Sequence, residues 1–304
     1  MSSTVRHLVS FLLAGLFGAP AVASAQTAGF ALDQFEPSER GSEWFANESL
    51  DLRGQLRPAA GIVADYANRP LAIYNDDGSV RSALVQDQFF VHVGASLVLA
   101  DRVRVAVSLP VAVHEDGQDG TFDGASYSAP GNFSVGDLRL GGDVRLLGRY
   151  ADTFTVAAGL QLFVPTGSRA DYTSDGSVRL EPRIMAAGDD GEFSYALRVG
   201  FEYAGVTSSY GGTTVGSEVT YGASLGIRVL DRKLLVGPEL FGAADASDSS
   251  QILQKRTTPL EGIVGAHYQM SSSWRIGIGG GGGLTRGYGS PTGRLVGGIE
   301  WAPR

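Results

Sequence analysis

The sequence predicts an all-β protein: a transmembrane up-and-down antiparallel β-barrel of about twelve strands, preceded by a short N-terminal segment. Residues 134–168 carry the first observation. Asp137, Arg139, Asp143 and Arg145 alternate with Leu138, Leu140, Val144 and Leu146, and successive side chains of a strand point to opposite faces. After Tyr150-Ala151-Asp152 the alternation resumes through Phe154, Val156, Ala158, Leu160, Leu162 and Val164, which makes a hairpin. Strand length is the second observation. Soluble sandwich strands usually span about 5–6 residues and tilted membrane strands about 9–11, and these strands are of the longer kind. The third is that connections alternate between tight turns and long polar loops, as in outer-membrane barrels.

Composition narrows the class. The 304 residues are 43% hydrophobic with a formal net charge of −8 and no Cys. The acidic balance and the lack of a basic run argue against nucleic acid, which requires clustered Lys and Arg. Without Cys there are no disulfides and no thiolate metal ligands. The 43 glycines are roughly twice an average share and have no collagen period, so they belong to turns and to close backbone packing in strands. No later segment reaches 18 consecutive uncharged apolar residues. Strands alone then remain to span a bilayer, because lipid tolerates only helices and closed barrels.

In chain order, residues 1–25 read as a secretory signal peptide. Arg6 supplies the positive start, residues 8–17 the apolar stretch, and Ala23-Ser24-Ala25 the cleavage site before Gln26. Residues 26–55 are acidic and aperiodic but hold Phe30, Phe35, Trp44 and Phe45. Two readings stay open: a mobile periplasmic tail, or a short plug or lid against the periplasmic mouth, which would account for aromatics that true disorder lacks. Residues 56–304 are the barrel. Strands are expected over about 58–74, 83–99, 103–114, 137–146, 154–164, 178–187, 193–203, 218–229, 234–243, 260–270, 274–284 and 294–301. The phase slips near Asn68-Arg69-Pro70, which predicts a bulge. Turns after strands two, four, six, eight and ten are tight, and loops after three, five, seven and nine are long. That places both chain ends in the periplasm and requires an even strand number. A soluble sandwich would instead expose one face rich in Lys and Glu.

Strand parity lines the lumen with both signs: Arg102, Arg104, Arg139, Arg145, Arg179, Arg183, Arg198, Arg228, Arg275 and Arg294 against Asp137, Asp143, Glu181, Glu202, Glu218, Glu239, Glu261 and Glu300. A charge in a narrow lumen must be paired or wet, so near-balance predicts an interlocked network. A selective pore would show rings of one sign. The histidines of the mature chain, His92, His114 and His267, fall into no recognised catalytic spacing, and neither a catalytic residue nor a cofactor is expected. The run 171–176 (DYTSDG) lacks the spaced carboxylates of a calcium loop and reads as turn chemistry. The glycine run 277–283, with no βαβ unit around it, reads as a site of curvature or of plug contact.

Six stretches resemble the N-terminal barrel half of the OmpA-like outer-membrane proteins of myxobacteria. They are FALDQFEPSERGSEWF, SLDLRGQLRPAAGIVADY, GDLRLGGDVRLLG, FVPTGSRADYTSDG, KRTTPLEGIVGAHY and the ending GIEWAPR. The resemblance implies a barrel without established catalytic residues. Many relatives continue into a peptidoglycan-binding domain, which is not expected here. The expected function is therefore a non-enzymatic outer-membrane barrel with a structural or envelope role. The alternatives are a passive channel for small or hydrophobic solutes and, third, a lipid-modifying enzyme. Expected partners are outer-membrane lipids and lipopolysaccharide, the barrel assembly machinery and a periplasmic envelope partner met through the N-terminal segment.

Overall fold

The computed structural model describes residues 29–75, 77, 79–122, 124–210, 213–248, 254 and 256–303. The signal peptide and its cleavage site lie outside the described residues. Twelve long strands form the wall: β1 Leu56–Tyr74, β2 Val80–Leu99, β3 Val103–Asp116, β4 Leu138–Leu147, β5 Thr155–Val164 and β6 Arg179–Asp190. They continue with β7 Phe193–Ala204, β8 Glu218–Val229, β9 Leu234–Asp245, β10 Leu260–Gln269, β11 Trp274–Gly283 and β12 Gly293–Trp301. Each pairs antiparallel with its chain neighbours, and β1 closes on β12 from Ala60↔Trp301 to Asn68↔Gly293. Closure removes the unpaired edges that lipid would not tolerate.

The period-two segments become strands within a few residues of their expected bounds. The bulge is present: the β1–β2 register slips between Asn68 and Leu71, and Arg69 has φ +51°. Two short hairpins inside the long loops, Gly120–Phe122 with Ala125–Tyr127 and Ser208–Tyr210 with Thr213–Val215, were not expected from the sequence. The two-residue strand Ser134–Val135 pairs with β3 ahead of β4.

The outer face is apolar along the strands. Val103, Val105, Val107, Leu160, Ile184, Leu197 and Val199 are exposed there. Exposed Phe154, Phe193, Tyr268 and Trp274 lie toward the tight turns, and Phe133, Phe201 and Tyr203 toward the long loops. Two aromatic girdles around an apolar band are what a membrane barrel presents to lipid and to its interfaces.

Residues 29–55 are neither a tail nor a lid at one mouth. They enter among the long loops, where Leu32 N donates to Tyr172 O and Ala31 N to Asp175 Oδ1 (2.9 Å). They leave beside a tight turn, where Gly54 N donates to Asp101 Oδ1 (2.6 Å) before β1 begins. The segment thus threads the whole lumen. Its described start lies at the long-loop end, whereas Ala302 N donates to Ser273 O at the tight-turn end. The expectation that both chain ends share one side therefore fails for the N-terminal segment. Its four aromatics seed three buried clusters. Phe30 packs with Leu71, Leu84 and Tyr172 near the loops. Phe35 and Phe45 meet Val63, Phe241, Ile263 and Val296 midway. Trp44, Leu50 and Leu52 meet Val98, Met185 and Leu235 toward the turns. Burying such rings is worth about 1.5–3 kcal/mol each, which supplies the apolar contribution to holding the segment in place.

Candidate functional site: the occupied lumen

The segment without regular structure carries six carboxylates (Asp33, Glu36, Glu39, Glu43, Glu48 and Asp51) against two guanidinium groups, Arg40 and Arg53. A strand ladder satisfies its own backbone, but this segment must borrow partners from the wall. Glu239 of β9 accepts from Phe45 N (2.8 Å) and Ala46 N (2.9 Å). Glu300 of β12 accepts from Gly41 N (2.9 Å), and Asn47 donates to Ser224 Oγ (2.9 Å) on β8. Wall arginines return the favour: Arg139 donates to Pro37 O and Arg275 to Ser42 O.

Midway along the lumen, Arg104, Arg139 and Arg183 form a cationic belt on β3, β4 and β6. Arg104 is 1% exposed and pairs with Glu48 (2.7 Å) and Asp143 (2.5 Å). Arg183 holds Asp143 at 3.0 Å and Glu48 at 3.8 Å. Arg139 reaches Glu39 at 3.5 Å. Toward the tight turns, Glu43 takes Arg228 (2.6 Å), Arg275 (3.6 Å) and the Tyr150 hydroxyl (2.8 Å). Arg275 also pairs with Glu300. Burial, reinforced by the Glu43 carboxylate, pushes the Tyr150 phenol above its ordinary range, so it stays a donor. Nearby, Arg57 of β1 holds Asp51 at 3.0 Å. Toward the loops, Arg179 binds Asp175 (3.1 Å), Glu202 (3.0 Å) and Asp137 (3.4 Å). Arg294 holds Glu261 (2.8 Å), Asp33 (3.0 Å) and Asp65.

The inner network is thus present, but it is built differently from a wall-to-wall lattice. Arg102 does not belong to it: the side chain is exposed at the rim and donates to Arg145 O (3.1 Å). Arg145 keeps inward parity but lies one turn from the rim, half-buried, with no ion pair among the described residues. Arg198 likewise has no ion pair within reach among the described residues, although it is electrostatically coupled to Glu36. Glu181, 1% exposed, takes the Thr220 hydroxyl in place of a cation. Glu218 is half-buried and lies directly opposite both Glu202 and Asp245, a like-charge row that costs stability. Sequence reading missed Asp65 and Arg57 of β1 and every carboxylate of the threaded segment. Asp65 lies on the inner parity of β1 and was recoverable by extending the strand assignment; the segment has no period to read.

His92 and His267 are buried in the lumen, as parity predicts. His92 Nε2 lies 2.8 Å from Asp65 Oδ2. His267 packs on Phe45 with ring centroids 4.3 Å apart. His114 is at the rim, Nδ1 2.7 Å from Asn132 Oδ1. The glycine run proves to be a plug contact. A Cβ at Gly277 would lie 2.8 Å from Phe45 Cζ, and one at Gly279 3.2 Å from Phe45 Cε2. Bare backbone is what lets the ring lie against the wall.

Among the described residues, the larger cavities beside the segment are small. They measure ≈ 60 Å³ beside Asp33 and Phe35, ≈ 30 Å³ beside Ser42 and Phe45, and ≈ 10 Å³ both beside Trp44 and Ser49 and beside Phe30 and Gln34. Above, at the long-loop end, a vestibule of ≈ 350 Å³ is lined by Arg69, Arg256, Arg286, Tyr74, Phe122 and Tyr288. Arg256 lies over the Phe122 ring and Arg286 over the Tyr74 ring, at 5.4 and 4.9 Å.

No family model matches the chain, and no curated protein matches it. Solved structures do. An outer membrane channel from Pseudomonas putida F1 superposes with TM-score 0.55 at 16% identity, over 82% of this chain and 96% of that one. The NanC porin superposes with TM-score 0.52 at 7% identity, over 81% and 99%. At such identities the likeness concerns the barrel fold.

Proposed function

We propose that this chain is a non-enzymatic outer-membrane channel closed by its own N-terminal segment, and that displacing residues 29–55 opens a passive route for small anionic solutes. One observation carries the reading. The lumen is filled by a separable strand of chain, joined covalently to the wall only where Gly54 and Gln55 lead into β1, and not by wall side chains meeting across it. Glu39 and Glu48 occupy the belt of Arg104, Arg139 and Arg183. With those carboxylates withdrawn, three guanidinium groups face the two wall carboxylates Asp143 and Glu181 on that side, a local excess of one sign of the kind that selects anions. The arginine-lined vestibule gives such solutes an approach. The P. putida barrel is itself described as an outer membrane channel, which supports the class. Tight turns would face the periplasm and long loops the exterior, with export by the signal peptide, insertion by the barrel assembly machinery and lipopolysaccharide around the outer girdle. The likeness to the myxobacterial OmpA-like barrels belongs to the same reading.

A purely structural envelope role is favoured by one feature, the near-complete burial of the segment. Single-channel recording decides. The wild type should be closed or flicker briefly. Glu39→Gln with Glu48→Gln should open more often and favour anions, with heat-modifiable gel migration verifying the fold. A folded double variant that never conducts supports the structural role instead.

A further inference from the structure

Asp33, Asp65 and His92 converge in a way the ionic network does not need. They come from three elements: the threaded segment, β1 and β2. Their ligand atoms lie within 4.8 Å of one another. His92 Nε2 is 2.8 Å from Asp65 Oδ2 and 3.8 Å from Asp33 Oδ2. The Oδ1 atoms point elsewhere: Arg294 binds Asp33 Oδ1 at 3.0 Å and also takes Asp65 Oδ1. One guanidinium thus fixes both carboxylates from behind and leaves both Oδ2 atoms aimed at the imidazole. Outer partners that orient carboxylates in this manner are a regular part of metal centres.

Charge argues the same way. Asp33, Asp65 and Glu261 surround Arg294, and His92 lies beside Asp33 and Asp65, so three carboxyl groups share one guanidinium and one imidazole. Crowding carboxyl groups at a site where Asp65 is 1% and His92 4% exposed is costly, and a cation among them would relieve it. Space is available too. The ≈ 60 Å³ cavity is lined by both Asp33 and His92, enough for a water or two with polar partners.

We propose that Asp33 Oδ2, Asp65 Oδ2 and His92 Nε2 are three ligands of a divalent transition-metal ion, with water from the adjoining cavity completing its shell. Bonds of about 2.0–2.2 Å from one ion place three such ligand atoms roughly 3–3.5 Å apart, a spacing that lies between the 2.8 and 3.8 Å from His92 Nε2 to the two Oδ2 atoms. The imidazole ligand suits zinc or iron better than calcium or magnesium. The ion fastens the threaded segment to two wall strands, whether or not the barrel conducts.

The test uses the refolded full-length chain in detergent, with zinc as the probe, after chelator treatment. Isothermal titration should show one equivalent bound. His92→Ala should abolish that equivalent and His267→Ala should keep it. Asp33→Asn, near-isosteric and outside the wall, serves should His92→Ala fail to fold, and should weaken binding at least about 10–100-fold. Wild-type protein that takes up no stoichiometric zinc overturns the site. So does zinc retained at full affinity in a folded His92→Ala or Asp33→Asn variant.

Discussion

The wall and the segment inside it are made by opposite means. Each wall strand finds its backbone partners in its chain neighbours, and β1 finds its second partner in β12. The wall's exposed apolar residues lie outward, and its charged residues lie inward beside apolar ones such as Val63, Phe241 and Ile263. The segment has no ladder, buries its aromatics on all sides, and takes backbone acceptors from residues as far along the chain as Glu239 and Glu300. A periodic element carries its structure locally. An aperiodic one is shaped by what encloses it, and here the enclosure is ionic as much as apolar.

Arg104→Met is the most severe way to break this contrast. It leaves Glu48 and Asp143 buried with only Arg183 between them, and losing one partner of a buried pair costs about 3–5 kcal/mol. Urea unfolding from lipid vesicles measures it. Val144→Arg attacks the wall instead, placing a cation on the lipid face of β4 opposite Val103, toward the tight turns, and should cost about 1–2 kcal/mol, between the midplane and interface values. If Arg104→Met proves the milder of the two, the segment contributes little to holding the barrel together. Gly277→Ala probes the contact between the two regions: its methyl meets Phe45, and overpacking costs about 1–3 kcal/mol. Phe45→Leu should relieve much of that cost in a double-mutant cycle, and strict additivity would show that the ring does not rest there. Arg145→Gln should be smallest, within about 0.5 kcal/mol, because this half-buried arginine has no ion pair among the described residues.

Most of the wall was legible because its signal is period two over long runs. Leu197, Val199 and Phe201 against Ser194, Arg198 and Glu202 fix faces without knowledge of neighbours. Parity also placed His92 and His267 inside, and the glycine run was readable as a contact for whatever the lumen holds. Parity could not say which charges pair. Arg102 shares the parity of Arg104 but belongs to a turn, and Glu181 meets a hydroxyl. The path of residues 29–55 was illegible for a deeper reason. Four aromatics and six acids announce burial among cations, but which end of the barrel the segment enters depends on Tyr172, Asp175 and Asp101, and no local pattern encodes those meetings.

Threading also bears on how the molecule is made. The β1–β12 ladder is the seam where the first and last wall strands meet, and a hydrogen-bonded ring admits no sideways entry. The segment must either be enwrapped before that seam shuts or be drawn in lengthwise afterwards. Its anchors to β9, β11 and β12 span sequence separations of 194, 233 and 259 residues, so enwrapping makes it a mandrel on which late strands are gathered. The loop-closure entropy of joining strand one to strand twelve is then met in stages, by contacts that persist as the contents of the finished barrel.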